Sequence, residues 1–423
     1  MSYLNCEEAL TRLVDIARRE APRFGPRDAV LRDVYGRLTL FLQSEPPDRV
    51  ALETALTALA PYVRPGRAVM VGSDGGAKGT LSEAHVQWLR FGPGDEDFFR
   101  LVDRRVVGAD WLLRPAPPRQ NRLVFASMKG GVGRTTALCV AASDLAAEGS
   151  RVLVIDLDLE APGVGRMLCS DLPPHGVVDA LAAQNIGLEV PIEDLRTSVP
   201  STRGTLDVVP AYGRSSVDAP AHYLSKLSRA ASDVSLSGSI PLALKVSNLV
   251  DRLSAEREYD AILIDARAGM SEISAGPILA LGATVLLFGT AQRQTFDDYA
   301  FLFAQLHSLG LWQDGREWDF IVPVLAKATT DITQLDDAQA RMFQLFQDYV
   351  YVAEGPGELD AFNYAESDED APHRFIPIAF DSKFASFDPQ QSTHHLLRDF
   401  YEHAFIRFLP FLRDLLALPM EPQ

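Results

Sequence analysis

Cysteine is scarce in this chain of 423 residues, which contains Cys6, Cys139 and Cys169 and no others. Three cysteines this far apart cannot form a disulfide framework, and no CxxC pair offers the spacing of zinc ligands. The eight histidines do not group with acidic residues at HxH or HxxxH spacing either. We therefore expect no dedicated zinc-type site, and we expect the protein in a reducing compartment, the cytoplasm.

Long apolar runs are absent as well. No stretch approaches the ~20 uninterrupted apolar residues that a membrane span needs. The first residues include Glu7 and Glu8, where a signal peptide would carry basic side chains. The hydrophobic fraction of 47% is that of an ordinary globular protein. We expect a soluble, unexported protein with a sizeable core.

Basic residues are fewer than acidic residues. The chain has 40 lysine and arginine residues against 57 aspartate and glutamate residues, a formal net charge of −17 at pH 7. A surface this acidic repels phosphate backbones and anionic lipid, which disfavours non-specific binding to nucleic acid or membrane. Internal repeats with a period of 20 to 50 residues are also missing, so we do not expect a solenoid architecture.

The length allows two or three domains, and a proline cluster marks one boundary. Residues 1 to about 112 mix helical patterns with short strand-like runs, which predicts a small α+β domain of unknown role over residues 1–115. The segment Arg114-Pro115-Ala116-Pro117-Pro118-Arg119 can continue neither a helix nor a central strand. A second domain is predicted over residues 121–423.

Strand-like and helical patterns alternate in this second domain. Such alternation predicts a parallel sheet with helical crossovers. Runs such as Val152-Leu153-Val154-Ile155 are apolar at every position, as expected of strands covered on both faces. The predicted fold class is therefore α/β, with a doubly wound, mainly parallel sheet. The predicted strands are residues 122–127, 151–156, 205–210, 260–265, 284–289, 320–325 and 375–379.

The first of these strands runs directly into a glycine-rich loop, Lys129-Gly130-Gly131-Val132-Gly133-Arg134-Thr135-Thr136, and residues 137–147 then predict a helix. Strand, loop and helix in this order form the context of a phosphate-binding loop. The glycines let successive amide N–H groups face one centre, and the positive end of the helix dipole adds to the attraction for phosphate. Thr135 is placed to ligate Mg²⁺ through its hydroxyl.

The loop resembles the KGGVGKTT loop of the MinD/ParA class of P-loop ATPases, a deviant Walker A motif. The resemblance implies ATP and Mg²⁺ as cofactors, bound by residues 129–136. It also implies an ATP-dependent homodimer in which Lys129 contacts phosphate across the interface and acts in catalysis. Arg134 departs from the class, which has lysine there. A guanidinium keeps the charge but changes the geometry, so we expect phosphate binding to persist and hydrolysis to be slow.

Further positions complete the predicted site. Residues 260–265 form an apolar strand ending in Asp265, as a Walker B strand does, so Asp265 is the candidate for holding Mg²⁺ through water. The resemblance places Asp156 near the Mg²⁺ shell and lets Asp158 orient the attacking water. By the same resemblance, Gly269 offers a backbone N–H near the γ-phosphate, and Pro377 belongs to a loop that lies against the adenine.

Two segments near the C-terminus each allow a functional and a structural interpretation. The acidic stretch at about residues 353–372 predicts a solvated insertion loop in preference to an acidic docking site. The C-terminal stretch Leu396 to Leu418 is rich in phenylalanine and leucine. Pro410 interrupts its pattern and acidic residues balance its arginines, which favours a core-packing or partner helix over a membrane-binding one.

Two functions remain open. The first is a Mg-ATP-binding switch that dimerises with ATP, hydrolyses it slowly and so controls an unidentified protein partner. The second is an ATP-dependent assembly or scaffold module with little or no hydrolysis, in which residues 1–115 recruit an effector in a bacterial defence or signalling cassette. Amidotransferase or synthetase chemistry of the CobQ/CobB kind is disfavoured, because no Cys/His arrangement supports a glutaminase nucleophile.

Overall fold

The computed structural model of the protein describes residues 4–21, 24–83, 85–90, 98–236, 238–310, 320–351 and 363–418. The chain divides into two compact units. The first comprises residues 1–113 and 305–311, and the second comprises residues 114–304 and 312–423. The return of residues 305–311 to the first unit has no counterpart in the sequence pattern.

The first unit contains a five-stranded sheet with the order β3-β2-β1-β5-β4. The pairs β1–β5 and β2–β3 are parallel, whereas β1–β2 and β4–β5 are antiparallel. Helix α1 begins after Asn5, whose side chain accepts the N–H of Glu8 as an N-cap. Its apolar stripe, including Leu10, Leu13 and Val14, packs into a core with the sheet. The elements are α1 Cys6–Glu20, β1 Ala29–Arg32, β2 Leu38–Leu42, α2 Arg49–Leu56, β3 Val69–Val71, α3 Ala77–Leu81, β4 Gln87–Arg90 and β5 Phe98–Asp103.

The second unit is built on an eight-stranded sheet with the order β15-β14-β13-β6-β12-β7-β9-β8. All of its neighbouring strands are parallel except β8, which runs antiparallel to β9. The strands are β6 Arg122–Ser127, β7 Arg151–Asp156, β8 Thr197–Val199, β9 Thr205–Val209, β12 Ala261–Asp265, β13 Thr284–Gly289, β14 Ile321–Ala328 and β15 Ile376–Ala379, and a hairpin of β10 Val234–Ser235 and β11 Gly238–Ser239 lies apart from the sheet. The predicted α/β fold class with a mainly parallel sheet is confirmed.

Helices cover this sheet on both faces. Leu123 and Phe125 of β6 point into a core that also contains α4, α13 and α14. Val124, on the opposite face of the same strand, is fully buried too. The helices are α4 Arg134–Ala147, α5 Val164–Leu168, α6 Val177–Gln184, α7 Arg214–Asp218, α8 Tyr223–Ala230, α9 Leu242–Ala255, α10 Glu272–Ala275, α11 Arg293–Ser308, α12 Ile332–Tyr349, α13 Arg398–Phe405 and α14 Phe408–Leu415.

The register of the central strands places two acidic residues side by side. β12 pairs with both β6 and β7, and Asp265 lies opposite Phe125 on one side and Asp156 on the other. Because the strands are parallel, their carboxyl ends meet at one edge of the sheet. The glycine-rich loop that follows β6 therefore lies at the same edge as both carboxylates.

The C-terminal stretch forms two helices that pack into the core. The expected interruption at Pro410 is wrong: the break falls at Ile406 and Arg407, and Pro410 occupies the first turn of α14. A proline is tolerated there because N–H groups of the first turn have no acceptor within the helix. Phe408 and Leu412 are fully buried, as expected of a core-packing helix.

Half of the predicted acidic insertion, residues 353–362, lies outside the described residues. Of the remainder, residues 366–370 are exposed. Among the helices that the structure describes, none combines the length and the apolar character that crossing a bilayer requires.

Phe408→Ala tests the packing of α14. The ring makes edge contacts with Phe125 and Phe288, so truncation leaves a cavity and should lower the free energy of unfolding of the second unit by about 3–5 kcal/mol. The measurement is the urea midpoint followed by circular dichroism. Ile406→Ala is the matched control, because Ile406 is 70% exposed and its loss should change stability by less than about 0.5 kcal/mol. Equal effects of the two variants would contradict the packing.

Candidate functional site

The glycine-rich loop borders a cavity of about 660 Å³ within the second unit. This volume is in the usual range for small-molecule sites. The cavity is lined by residues 129–136 of the loop, by Ser127, Asp158, Ala161, Arg267, Ala268, Ala326 and Lys327, and by residues 378–382, 384, 385 and 405. The whole predicted phosphate loop therefore faces one space.

The backbone of the loop depends on two glycines. Gly131 and Gly133 have φ values of 75° and 95°, in the left-handed region that other residues rarely adopt. Gly133 is also the N-cap residue of α4. The first turn of this 14-residue helix opens on the cavity, so its free N–H groups and the positive end of its dipole attract an anion there.

Arg134 lines the cavity, and its side chain is held by acidic neighbours. Its guanidinium is buried and bonded to two carboxylates: Nε lies 2.6 Å from Oδ1 of Asp265, and Nη2 lies 2.7 Å from Oδ2 of Asp158. Nη1 donates to Oγ of Ser127 at 3.3 Å. Burial opposes the charge of the guanidinium, but the two carboxylates outweigh it and raise the pKa of Arg134. The guanidinium thus contacts two acids, as expected of buried carboxylates, which need a cationic partner, and its contact with phosphate stays a prediction.

Thr135 and Asp265 lie together as predicted for a P-loop and a Walker B strand. The hydroxyl of Thr135 donates to Oδ2 of Asp265 at 2.7 Å. Asp265 is fully buried, and burial raises its pKa, while Arg134 and the Thr135 hydroxyl lower it. The acid therefore depends on these two neighbours for its charge.

Asp156 is fully buried, as Asp265 is. Its two oxygens accept the backbone N–H groups of Asp158 and Val164, each at 3.1 Å. Burial, together with the nearby charges of Asp265 and Asp158, raises the pKa of Asp156 well above its usual value. Asp156 does not line the cavity. Its carboxylate binds the two ends of the segment from Asp158 to Val164, and its expected place near the Mg²⁺ shell stays a prediction.

The loops after β7 and β12 are joined by a second ion pair. Nη1 of Arg267 contacts Oε2 of Glu160, and Arg267 lines the cavity. No sequence motif assigns a function to Arg267. Gly269 was expected to offer its N–H to a phosphate, but that N–H donates to the carbonyl of Ser127 at 2.9 Å. A phosphate contact would require this bond to break.

Two predicted residues lie at the borders of the cavity. Nζ of Lys129 is 3.5 Å from Oδ2 of Asp298, and both side chains are partly exposed. Pro377 does not line the cavity, whereas the next residues, Ile378, Ala379 and Phe380, do. Pro377 directly precedes these three lining residues, and its expected contact with adenine stays a prediction.

Lys327 is a cavity residue that sequence analysis missed. Its Nζ donates to the carbonyl of Gly131 at 2.7 Å, and it lines the same cavity. No motif marks this lysine, which stands near the end of β14. Only the pairing of distant segments brings it to the loop.

The donor set fits Mg²⁺. A threonine hydroxyl and carboxylate oxygens are hard ligands of the type that Mg²⁺ prefers. Among the described residues, no group of three or more His, Cys, Asp or Glu side chains is arranged to hold a metal ion by itself. Mg²⁺ commonly takes few protein ligands and completes its shell with water and substrate phosphates, so the predicted pair of Thr135 and Asp265 agrees with its chemistry.

The segment that carries the glycine-rich loop is similar to known proteins. Residues 121–172 match the family model of an AAA domain, which spans β6, the glycine-rich loop, α4 and β7. The resemblance of this segment to MinD/ParA-type P-loop ATPases is confirmed. No curated protein matches the chain.

Several solved structures share parts of the architecture. McdA of Cyanothece, in complex with ATP, is 14% identical, with a TM-score of 0.47 over 72% of this chain and 100% of that chain. The cell division ATPase MinD of Pyrococcus furiosus is 18% identical, with a TM-score of 0.44 over 70% of this chain and 100% of that chain. ParA of pNOB8, bound to nonspecific DNA, is 15% identical, with a TM-score of 0.41 over 70% and 98% of the two chains. None of these values is high enough to transfer a function.

Arg134→Met tests the buried ion pairs. The variant leaves Asp158 and Asp265 without their cation, and we expect the unliganded protein to lose about 3–5 kcal/mol of stability near neutral pH. Without Arg134 the pKa of Asp265 rises further in the folded state, which then binds more protons than the unfolded state, so stability falls as pH rises. The deficit should therefore be largest near neutral pH and shrink under mildly acidic conditions.

Thermal unfolding of wild type and variant across this pH range measures the effect. Arg151→Met is the matched control, because Arg151 forms ion pairs with Glu258 and Asp260 at an exposed position and should have a small effect. A deficit that does not change with pH would contradict the electrostatic explanation.

Proposed function

We propose that this protein is a Mg-ATP-binding switch of the MinD/ParA type that hydrolyses ATP slowly and controls a protein partner in the cytoplasm. The observation that supports it best is the junction of three elements at one sheet edge. The loop with Gly131 and Gly133 in left-handed conformations leads into α4, and Thr135 of that helix meets Asp265 of β12. A phosphate-binding loop and a metal-binding acid are thereby combined.

In this proposal the loop amides and the N-terminus of α4 bind the phosphates. Thr135 and Asp265 hold Mg²⁺, which neutralises phosphate charge when bound. The base lies toward residues 378–382, where Ile378 and Phe380 offer apolar surface. Phe380 is 64% exposed, so its ring is accessible to a ligand.

Hydrolysis requires a change at Arg134. Asp158, the proposed residue for orienting water, already accepts hydrogen bonds on both oxygens, from Arg134 at 2.7 Å and from the N–H of Ala161 at 3.3 Å. A carboxylate bound in this way is a poor acceptor for a water proton. Arg134 must release Asp158 before the acid can act, which favours slow turnover.

The same contact favours the second candidate function. If Arg134 never releases Asp158, the protein binds ATP without useful hydrolysis and serves as an ATP-dependent assembly or scaffold module. The predicted domain of residues 1–115 would then recruit an effector in a bacterial defence or signalling cassette. The two functions share the nucleotide site and differ in turnover.

In this proposal Lys129 joins two copies of the chain across their nucleotide sites. Its ion pair with Asp298 is partly exposed, and such pairs stabilise by at most about 1 kcal/mol. Lys129 can therefore leave Asp298 at little cost and contact a phosphate bound to a second copy of the chain.

Phosphate release by the purified protein separates the two functions. For the switch, wild type should release phosphate slowly with Mg-ATP, and Asp158→Ala should reduce the rate about a hundredfold or more, in the usual range for a positioned general base. Arg134→Lys should raise the rate above wild type, because an ammonium cannot bind both acids in the same geometry. ATP binding, measured in parallel by equilibrium dialysis, should persist in all three proteins. Wild type that binds ATP but turns over no faster than Asp158→Ala would overturn the switch and support the scaffold.

Sedimentation of the full chain with and without Mg-ATP tests dimerisation. Wild type should double in mass with ATP, and Lys129→Ala should bind ATP yet remain a monomer. Lys78→Ala serves as the control, because Lys78 is an exposed lysine of the first unit. A Lys129→Ala protein that dimerises like wild type would remove Lys129 from the interface.

A further inference from the structure

Four cationic side chains line the cavity, and three of them are paired with carboxylates. Lys129 contacts Asp298, and Arg267 contacts Glu160. Arg134 contacts Asp158 and Asp265. A cation bound to an acid contributes little net attraction for a further anion, because the two charges cancel at a distance.

Lys327 is the exception. Among the residues that the structure describes, no carboxylate lies within ion-pair distance of its ammonium. The ammonium instead donates to a neutral acceptor, the carbonyl of Gly131, and the side chain is exposed to the cavity. An ammonium has three donors, so two remain for an anion.

The backbone at Lys327 is specialised for this contact. Its φ is 53°, in the left-handed region that a lysine rarely adopts. It lies where the pairing of β14 with β15 shifts register between Leu325 and Ala328. Bulges of this kind redirect side chains and are frequent beside functional sites. Here the irregular backbone carries the lysine to the phosphate loop.

We propose that Lys327 supplies the phosphate-binding charge that lysine supplies at the position of Arg134 in other P-loop proteins. Its bond to Gly131 also fixes the direction of that carbonyl in the loop. In this chain Arg134 neutralises the acids and Lys327 attracts the polyphosphate. In other P-loop proteins one lysine at the position of Arg134 binds the phosphates. This inference rests on the proposed function.

The test measures the affinity of the full chain for a fluorescent ATP analogue and its displacement by inorganic tripolyphosphate. Lys327→Gln keeps a donor for Gly131 but removes the charge, and it should weaken both ligands about tenfold to a hundredfold, as expected for loss of a charged hydrogen bond. Lys327→Arg should retain most of the affinity. Lys78→Gln, an exposed lysine of the first unit, should bind as wild type does.

Lys327→Gly controls for loss of affinity caused by misfolding of the backbone at residue 327. Glycine adopts the left-handed conformation without strain, so this variant loses the side chain while the backbone is relieved, and it should lose affinity as Lys327→Gln does. Salt dependence separates charge from loop positioning. Removing a contacting charge should flatten the decline of affinity with ionic strength, whereas a purely structural loss would leave that slope unchanged.

The outcomes are distinguishable. If wild type binds ATP and Lys327→Gln binds equally well, or loses affinity with an unchanged salt slope, Lys327 does not supply the phosphate charge and the proposed function stands. If wild type binds neither ATP nor tripolyphosphate, the proposed function fails and the inference fails with it.

Discussion

The nucleotide site depends on one buried interaction, the guanidinium of Arg134 between Asp158 and Asp265. Parallel strands bring acids to the same sheet edge, and a buried carboxylate is costly unless a cation or donors compensate it. Arg134 provides that compensation with bonds of 2.6 and 2.7 Å. The interaction joins the phosphate loop, the loop after β7 and the end of β12, so none of them can move independently of the other two.

This arrangement changes which groups can act on a ligand. The arginine at the position of the usual P-loop lysine is engaged with acids, so our proposals assign anion binding to the loop amides, the N-terminus of α4 and Lys327. It also couples binding to conformation. A ligand phosphate that attracts Arg134 weakens its hold on Asp158, and a metal ion at Asp265 competes for the same oxygens. The pair of Arg267 with Glu160 extends this coupling to the loop after β12.

The two candidate functions differ in this one contact. A switch needs Arg134 to leave Asp158 during each cycle, whereas a scaffold needs it to stay. Guanidinium groups hold carboxylates with two or more directed bonds, unlike the single point charge of an ammonium. An arginine in place of lysine therefore favours the state in which residue 134 stays bound to Asp158. In our proposal the loop can still bind nucleotide in that state.

The sequence by itself determined the fold class and the main parts of the site. Alternating apolar strands and helices predict a parallel sheet, and the KGGVGRTT loop predicts a phosphate site, because backbone conformation and helix dipole are local properties. The sequence could not place Lys327, which lies 196 residues beyond its partner Gly131, nor could it predict the direction of the Arg134 side chain. Those outcomes depend on strand order, register and burial, which set the partners of a charge only once distant segments meet.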